Sequence, residues 1–190
     1  MPVLYHYSPL MHLPPILEQG LSRGDIAHPN PTVCLQAVSL TTQTDPDRLA
    51  CWGERTPLAR KTAVRYVCRL DDGDPMLEPS RQTWKRLGVP PKFLSRLDPL
   101  GQSKWWSFYH GTIPPERFTV QLRSGGGYVE PTADQLAAVV RTVSMERDRY
   151  DSVPHPECPS VIYYAPKNPD ASDHWLLEEV FPADRFRVLA

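Results

Sequence analysis

The amino-acid sequence predicts an α+β domain in which short strands and helices share one core. Residues 61–70 alternate between two faces along their length, which is the strongest strand signal in the chain. Thr132 and Gln135 form a capping box that precedes an apolar stripe at helical spacing. The 22 prolines are spread along the chain and favour short elements joined by rigid turns.

Length and charge limit the classes of protein that fit this chain. Its 190 residues favour one domain, and 41% hydrophobic with 23% charged residues is an ordinary globular composition. The formal net charge of −1 argues against binding nucleic acid mainly through bulk electrostatics, and leaves room for a local basic groove. No secretory leader or membrane-spanning apolar run is visible, so we expect a cytoplasmic protein without a membrane partner.

The first half of the chain predicts strands separated by short helices. Residues 10–19 carry apolar side chains on one helical face, and Gly20 is a natural end for that helix. A further short helix at 45–53 is opened by Asp45-Pro46 and closed by Gly53. The proline-containing segment 21–36 is predicted as a loop. The remaining elements are strands at 3–8, 37–42 and 61–70, and helical turns at 80–87 and 90–97.

The second half predicts strands on either side of one long helix. Ser124 to Gly127 is glycine-rich and indicates a flexible joint. We therefore divide the chain into a core at 1–123 and a C-terminal part at 128–190, which is an extension or the completing part of the same domain. The predicted strands cover residues 103–110, 117–123, 160–165, 174–181 and 185–189.

Cysteine usage gives little sign of a metal centre or a disulfide framework. No two of the four cysteines have a C-x-x-C type of spacing. His155 and Cys158 lie three residues apart, and His174 follows later, but no H-E-x-x-H or similar motif supports a hydrolytic metal site. We predict no bound metal. The cysteines are Cys34, Cys51, Cys68 and Cys158.

The N-terminal segment resembles a known superfamily. Tyr5-His6-Tyr7-Ser8, the apolar run from Leu13 to Leu17 and then Gly20-Leu21 are similar to the opening of ADP-ribosyltransferase-fold proteins. That superfamily includes the poly(ADP-ribose) polymerase-like enzymes, the DarT-type DNA-targeting toxins and the RNA 2′-phosphotransferases. Val38 to Thr42 matches their second strand, and Ala50-Cys51-Trp52 ends the helix that carries a nicotinamide-covering ring. The resemblance covers residues 3–53.

The resemblance implies a fold and an activity. The fold is an ADP-ribosyltransferase-like split antiparallel sheet with flanking helices, here with a C-terminal α+β extension. The activity is NAD-dependent mono-ADP-ribosyl transfer, or NAD glycohydrolysis, by a cytoplasmic toxin or effector. NAD is then the substrate, and the acceptor is a protein or a nucleic acid. Cleavage of the nicotinamide–ribose bond needs a flat nicotinamide, a fixed ribose and stabilised positive charge.

The same resemblance implies which residues bind NAD. An imidazole such as that of His6 forms a hydrogen bond with a ribose hydroxyl, and a ring such as Trp52 or Tyr7 stacks on the cationic nicotinamide. Each residue also has a purely structural interpretation, as a core histidine, a core ring or a polar strand residue. The predicted cofactor-binding residues are His6, Tyr7, Ser8, Ser39, Thr41 and Trp52.

The predicted catalytic residues are His6, Arg65 and Glu178. Arg65 is either a phosphate clamp or an exposed strand residue. Transferases of this superfamily place a glutamate at the start of a late strand, whereas the matching positions here are Trp106 and His174. Glu178 and Glu179 lie further along the predicted strand and face opposite sides, so one of them can point inward, and Glu178 is the predicted replacement.

The absence of a glutamate at the expected late-strand position motivates an alternative function that is not enzymatic. The chain is then a non-catalytic module on the same fold, which recognises a nucleotide, a nucleic acid or a protein partner. Its contact surface is an aromatic group that alternatively fills the core. The group consists of Trp105, Trp106, Phe108 and Tyr109.

Overall fold

The computed structural model describes residues 3–24, 26–30, 35–44, 61–155 and 158–167. Seven strands form one antiparallel sheet with the order β4-β5-β2-β1-β3-β6-β7. The mixed α+β class is as predicted. The strands are β1 (Leu4–Ser8), β2 (Val38–Thr41), β3 (Val64–Cys68), β4 (Leu77–Pro79), β5 (Trp106–Tyr109), β6 (Phe118–Ser124) and β7 (Gly127–Val129).

The described helices pack on both faces of this sheet. None of them is long and apolar enough to cross a membrane. A separate hairpin of β8 (Tyr150–His155) and β9 (Cys158–Pro166) follows the last helix. The helices are α1 (Leu13–Gln19), α2 (Ser80–Arg86), α3 (Pro91–Leu97) and α4 (Ala133–Arg147), and short 3-10 turns cover Leu10–His12, Gln102–Trp105 and Pro115–Arg117.

Strand alternation separates two hydrophobic cores. The main core lies on the sheet face that carries Leu4 and Tyr66, and it is closed by Leu13 of α1 and Val143 of α4. A smaller core on the opposite face surrounds Trp84, at the β4–β5 end of the sheet. The rest of that opposite face is therefore not part of either core.

The start of α1 follows from its proline pair. Pro14 and Pro15 lie in the first turn, where the missing N–H groups cost no helical hydrogen bond. Gly20 ends the helix with φ 82°. A side chain at Gly20 would collide with the carbonyl oxygen of Ile113. The next residue, Leu21, forms two backbone hydrogen bonds of 2.9 Å with Ile113.

The predicted flexible joint is wrong, because Ser124 to Gly127 forms a tight turn between β6 and β7. Gly125 and Gly126 both have positive φ, which suits a two-residue hairpin turn. The capping box predicted at Thr132 is confirmed, and α4 inserts Val139 and Val143 into the main core. Residues 127–147 therefore share the core of the preceding strands.

Three strands escaped prediction because they are short or polar. β4 and β7 each have three residues, too few for a periodic pattern, and β8 contains Pro154. The strand predicted at 160–165 is confirmed as part of β9. The predicted helix at 45–53 and the strands at 174–181 and 185–189 lie outside the described residues.

Glu78, on the edge strand β4, forms hydrogen bonds with side chains of α2 and of the segment after β5. Its carboxylate accepts hydrogen bonds from Arg86 Nη2 at 2.6 Å, Thr83 Oγ1 at 2.8 Å and His110 Nε2 at 2.9 Å. These donors, Arg86 foremost, lower the pKa of Glu78 from 4.5 to about 2. The stabilisation is therefore complete above pH 4.5 and is lost as the pH falls towards 2.

We expect Glu78→Gln to lower the free energy of unfolding at pH 7 by about 1–2 kcal/mol, a figure reduced for the partial exposure of the carboxylate. Urea unfolding at pH 7 and pH 3 measures the effect. It should shrink at pH 3, because Glu78 of the unfolded chain, with its ordinary pKa of 4.5, is then mostly protonated and must lose that proton on folding. Glu116→Gln, at an exposed position, is the matched control. An equal loss at both pH values would contradict the ionic explanation.

Candidate functional site

The sheet opens between β1 and β2. β1 pairs with β3 at five positions, from Leu4↔Cys68 to Ser8↔Val64, but it pairs with β2 only at Tyr5↔Thr41. A continued antiparallel register would place Tyr7 opposite Ser39. Beyond this single pair β1 and β2 form no further pairing, and the His6 side chain bonds the Ser39 carbonyl beside this interruption of the sheet, which we call the β1–β2 opening.

His6 has a defined tautomer at this opening. Its Nδ1 lies 2.9 Å from the carbonyl oxygen of Ser39. Because a carbonyl oxygen only accepts, Nδ1 carries the proton, and Nε2 of the neutral ring is an acceptor. Burial lowers the pKa of His6 to about 4, outweighing the opposite effect of the Ser39 carbonyl. The ring is therefore neutral at pH 7.

The neighbours of His6 on the same face belong to the core. Its ring centroid lies 5.8 Å from that of fully buried Tyr66. Ser8 is also buried, and its hydroxyl lies 3.1 Å from the Pro9 carbonyl and 3.3 Å from the Tyr66 hydroxyl. The Ser8 side chain is thus used within the protein, whereas no hydrogen bond to His6 Nε2 comes from the described residues.

His12 adds a second neutral imidazole near His6. Burial lowers the pKa of His12 to about 4, and the neighbouring groups His6, Arg147, Lys61 and Arg23 act in the same direction. At pH 7 His6 is neutral, whereas Arg147, Lys61 and Arg23 are cationic. These three positive charges favour an anionic ligand near His12.

The remaining predicted strand residues lie on the opposite face of the sheet. Tyr7 pairs with Arg65, and both side chains point away from His6 because successive strand residues alternate. The Tyr7 hydroxyl donates to the Gln43 carbonyl at 2.8 Å, and Thr41 Oγ1 accepts from the Gln43 backbone N–H at 3.1 Å. Tyr7 and Thr41 thus fix the backbone of Gln43, just after the end of β2. Ser39 is exposed.

Arg65 lies between two tyrosine rings on that opposite face. Its guanidinium carbon is 4.9 Å from the Tyr5 ring centroid and 4.2 Å from that of Tyr128. Its Nε donates to Gln121 Oε1 at 2.7 Å and its Nη1 to the Thr44 carbonyl at 3.3 Å. The predicted site residues therefore divide into two groups on opposite faces, joined only through the Ser39 backbone.

The aromatic group predicted as a contact surface is largely internal. Phe108 and Tyr109 are 4% and 6% exposed, and Trp106 packs edge-on to Trp84 at 6.1 Å. Trp105 alone of the four is an exposed residue, at 38% of its surface. The structural interpretation is thus confirmed for Phe108 and Tyr109.

Two predicted site residues, Trp52 and Glu178, lie outside the described residues, as does His174 of the alternative metal site. Within the described residues no group of three or more metal-ligating side chains occurs. Sequence reasoning missed His12 and Tyr128. The Gly125-Gly126 turn signal was present and would have placed Tyr128 opposite Arg123.

Comparisons of the chain with protein-family models, with curated proteins and with solved structures give no match. Functional inference therefore rests on the geometry of the site. The decisive feature is the neutral His6 ring at the β1–β2 opening. Its acceptor nitrogen forms no hydrogen bond with a described residue. An acceptor of this kind suits a hydroxyl donor.

Proposed function

We propose that this chain binds NAD at the β1–β2 opening and acts as an ADP-ribosyltransferase or NAD glycohydrolase on an ADP-ribosyltransferase-like fold. The observation that carries the proposal is the tautomer of His6, with Nδ1 donating to the Ser39 carbonyl and Nε2 left as an acceptor. A ribose hydroxyl of NAD donates to Nε2 without any change in protonation at neutral pH.

The electrostatic surroundings support the same ligand. The pyrophosphate of NAD is anionic, and the positive charges of Arg23, Lys61 and Arg147 act on the His6–His12 region. These charges attract the pyrophosphate towards the face of the sheet on which the ribose meets His6.

The chemistry needs one further group. The bond between nicotinamide and C1′ breaks with its electron pair leaving on nicotinamide, and an acceptor nucleophile or water attacks C1′ and loses a proton. A carboxylate stabilises the oxocarbenium-like transition state. We assign this role to Glu178, a glutamate further along the predicted strand 174–181 than the expected position at His174. The activity is that of a cytoplasmic toxin or effector.

Incubation of the purified full chain with NAD tests the proposal. We expect release of nicotinamide, with ADP-ribose appearing either free or attached to a protein or nucleic acid added as acceptor. Glu178→Gln should abolish release and leave NAD-induced thermal stabilisation intact. If NAD produces neither nicotinamide nor any stabilisation, the proposal fails.

A second candidate is a non-catalytic module that binds NAD or another nucleotide at the same opening. The observation that favours it is that no carboxylate of the described residues forms a hydrogen bond or an ion pair with His6. The module predicts stabilisation that rises with ligand concentration, by about 2.7 kcal/mol at 100 times the Kd, without turnover. Stabilisation together with nicotinamide release excludes it.

A further inference from the structure

The guanidinium of Arg65 is held in a fixed orientation on the sheet face opposite His6. Its guanidinium carbon lies over the rings of Tyr5 and Tyr128, 4.9 Å and 4.2 Å from their centroids. Hydrogen bonds to Gln121 and to the Thr44 carbonyl fix its Nε and Nη1. The plane and the rotation of the group are both set, so little side-chain entropy remains to be lost when a ligand binds.

One edge of this guanidinium stays open within the described part of the chain. Nη2 has no hydrogen-bond partner there, and Arg65 forms no ion pair with a described carboxylate. Nη1 has a second N–H besides the one donated to Thr44. The Nη1–Nη2 edge therefore presents two donors and an uncompensated positive charge, which match two oxygens of one anion.

The surroundings of Arg65 add a second positive charge and aromatic surface. Arg123 lies on β6 opposite Tyr128, and its Nη1 donates to Thr62 Oγ1 at 3.0 Å. The Tyr128 hydroxyl donates to the Thr62 carbonyl at 2.6 Å, so the ring that covers Arg65 is itself fixed. Partly exposed tyrosine rings beside the anion suit a ligand that has a flat apolar group next to its charge.

We propose that the Tyr5–Arg65–Tyr128 cluster is a binding site for the phosphate of a nucleotide, separate from the His6 opening. The phosphate oxygens bind the open Nη1–Nη2 edge, and the base lies against a tyrosine ring. The phosphate belongs either to a free mononucleotide or to a single-stranded nucleic acid. The site does not depend on NAD binding at His6, because strand alternation puts the two groups on opposite faces.

Equilibrium binding of the full chain to AMP, to inorganic phosphate and to a fluorescent single-stranded oligonucleotide tests this site. We expect Arg65→Ala to weaken nucleotide binding by about 10-fold or more, since it removes charge-assisted hydrogen bonds. Arg65→Lys should fall between, because it keeps the charge and loses the planar edge. Binding of AMP identifies a mononucleotide site, and binding of the oligonucleotide alone identifies a phosphodiester site.

Lys104→Ala is the matched control. Lys104 also carries a positive charge over an aromatic ring, 4.2 Å from the Trp105 centroid, but it lies elsewhere on the surface. An equal loss of binding in Lys104→Ala would overturn the site in favour of bulk electrostatics, as would the absence of binding to any of the three probes. If Arg65→Ala does not fold, as shown by its melting temperature, Arg65→Lys decides.

His6→Asn separates this proposal from the NAD proposal. We expect this variant to retain nucleotide binding at Arg65 whatever it does to NAD binding. Loss of AMP or oligonucleotide binding in His6→Asn would show that the two faces serve one ligand, and would overturn the separate site.

Discussion

Substitution of His6 with asparagine is expected to lower the rate of nicotinamide release about 100-fold, while leaving the fold intact. The asparagine amide N–H occupies the place of Nδ1 and keeps the hydrogen bond to the Ser39 carbonyl, 2.9 Å from Nδ1 in the wild type. The acceptor at Nε2 is lost, so the ribose is no longer fixed. A continuous assay of nicotinamide release, together with a melting curve, measures both effects.

His6→Gln is the partner variant. Its longer side chain carries an amide oxygen near the position of Nε2, so we expect part of the activity to return. In the wild type the rate should fall as the pH drops through about 4, where His6 becomes protonated and its acceptor is lost. Full activity in His6→Asn would show that His6 is a core histidine and that NAD, if bound, is held elsewhere.

Substitution of Trp84 with alanine is expected to lower the free energy of unfolding by about 3–5 kcal/mol. Trp84 is 2% exposed at the centre of the smaller core, where its ring lies 5.7 Å from that of Phe108. Removal of the indole leaves a cavity between α2 and β5 that its neighbours fill only in part. Urea unfolding at neutral pH measures the loss.

Trp105→Ala provides the matched control for Trp84. The same substitution at this exposed ring should cost less than about 1 kcal/mol. Trp84→Phe should cost much less than Trp84→Ala, because it keeps a ring and removes an indole N–H that has no hydrogen-bond partner among the described residues. Comparable losses at Trp84 and Trp105 would contradict the two-core description.

Sequence patterns that involve only a few neighbouring residues, such as strand alternation or a capping box, predicted the local structure correctly. Residues 61–70 predicted β3 through their alternation, and Thr132 with Gln135 predicted the start of α4. Both are local effects, set by side-chain spacing and by hydrogen bonds between residues three apart. The same reasoning failed for β4, since three residues carry too little pattern to distinguish a strand from a turn.

The candidate site was harder to predict, because it depends on pairing between distant segments. The sequence indicated His6 and Arg65, but nothing within either strand shows that the two side chains point to opposite faces of the sheet. Tyr7↔Arg65 pairing determines that arrangement. The tautomer of His6 likewise depends on the Ser39 carbonyl, 33 residues away, which lies within reach only where β1 and β2 separate.

The strand order of the sheet has a kinetic consequence. Apart from the β6–β7 hairpin, most neighbouring strands are far apart in the chain: Ser8 and Tyr66 are separated by 58 residues, and Arg65 and Gln121 by 56. Long loops must close before these contacts form, so we expect folding on the millisecond-to-second timescale typical of high contact order. During synthesis, β1 emerges from the ribosome first and stays without its main partner until β3 follows.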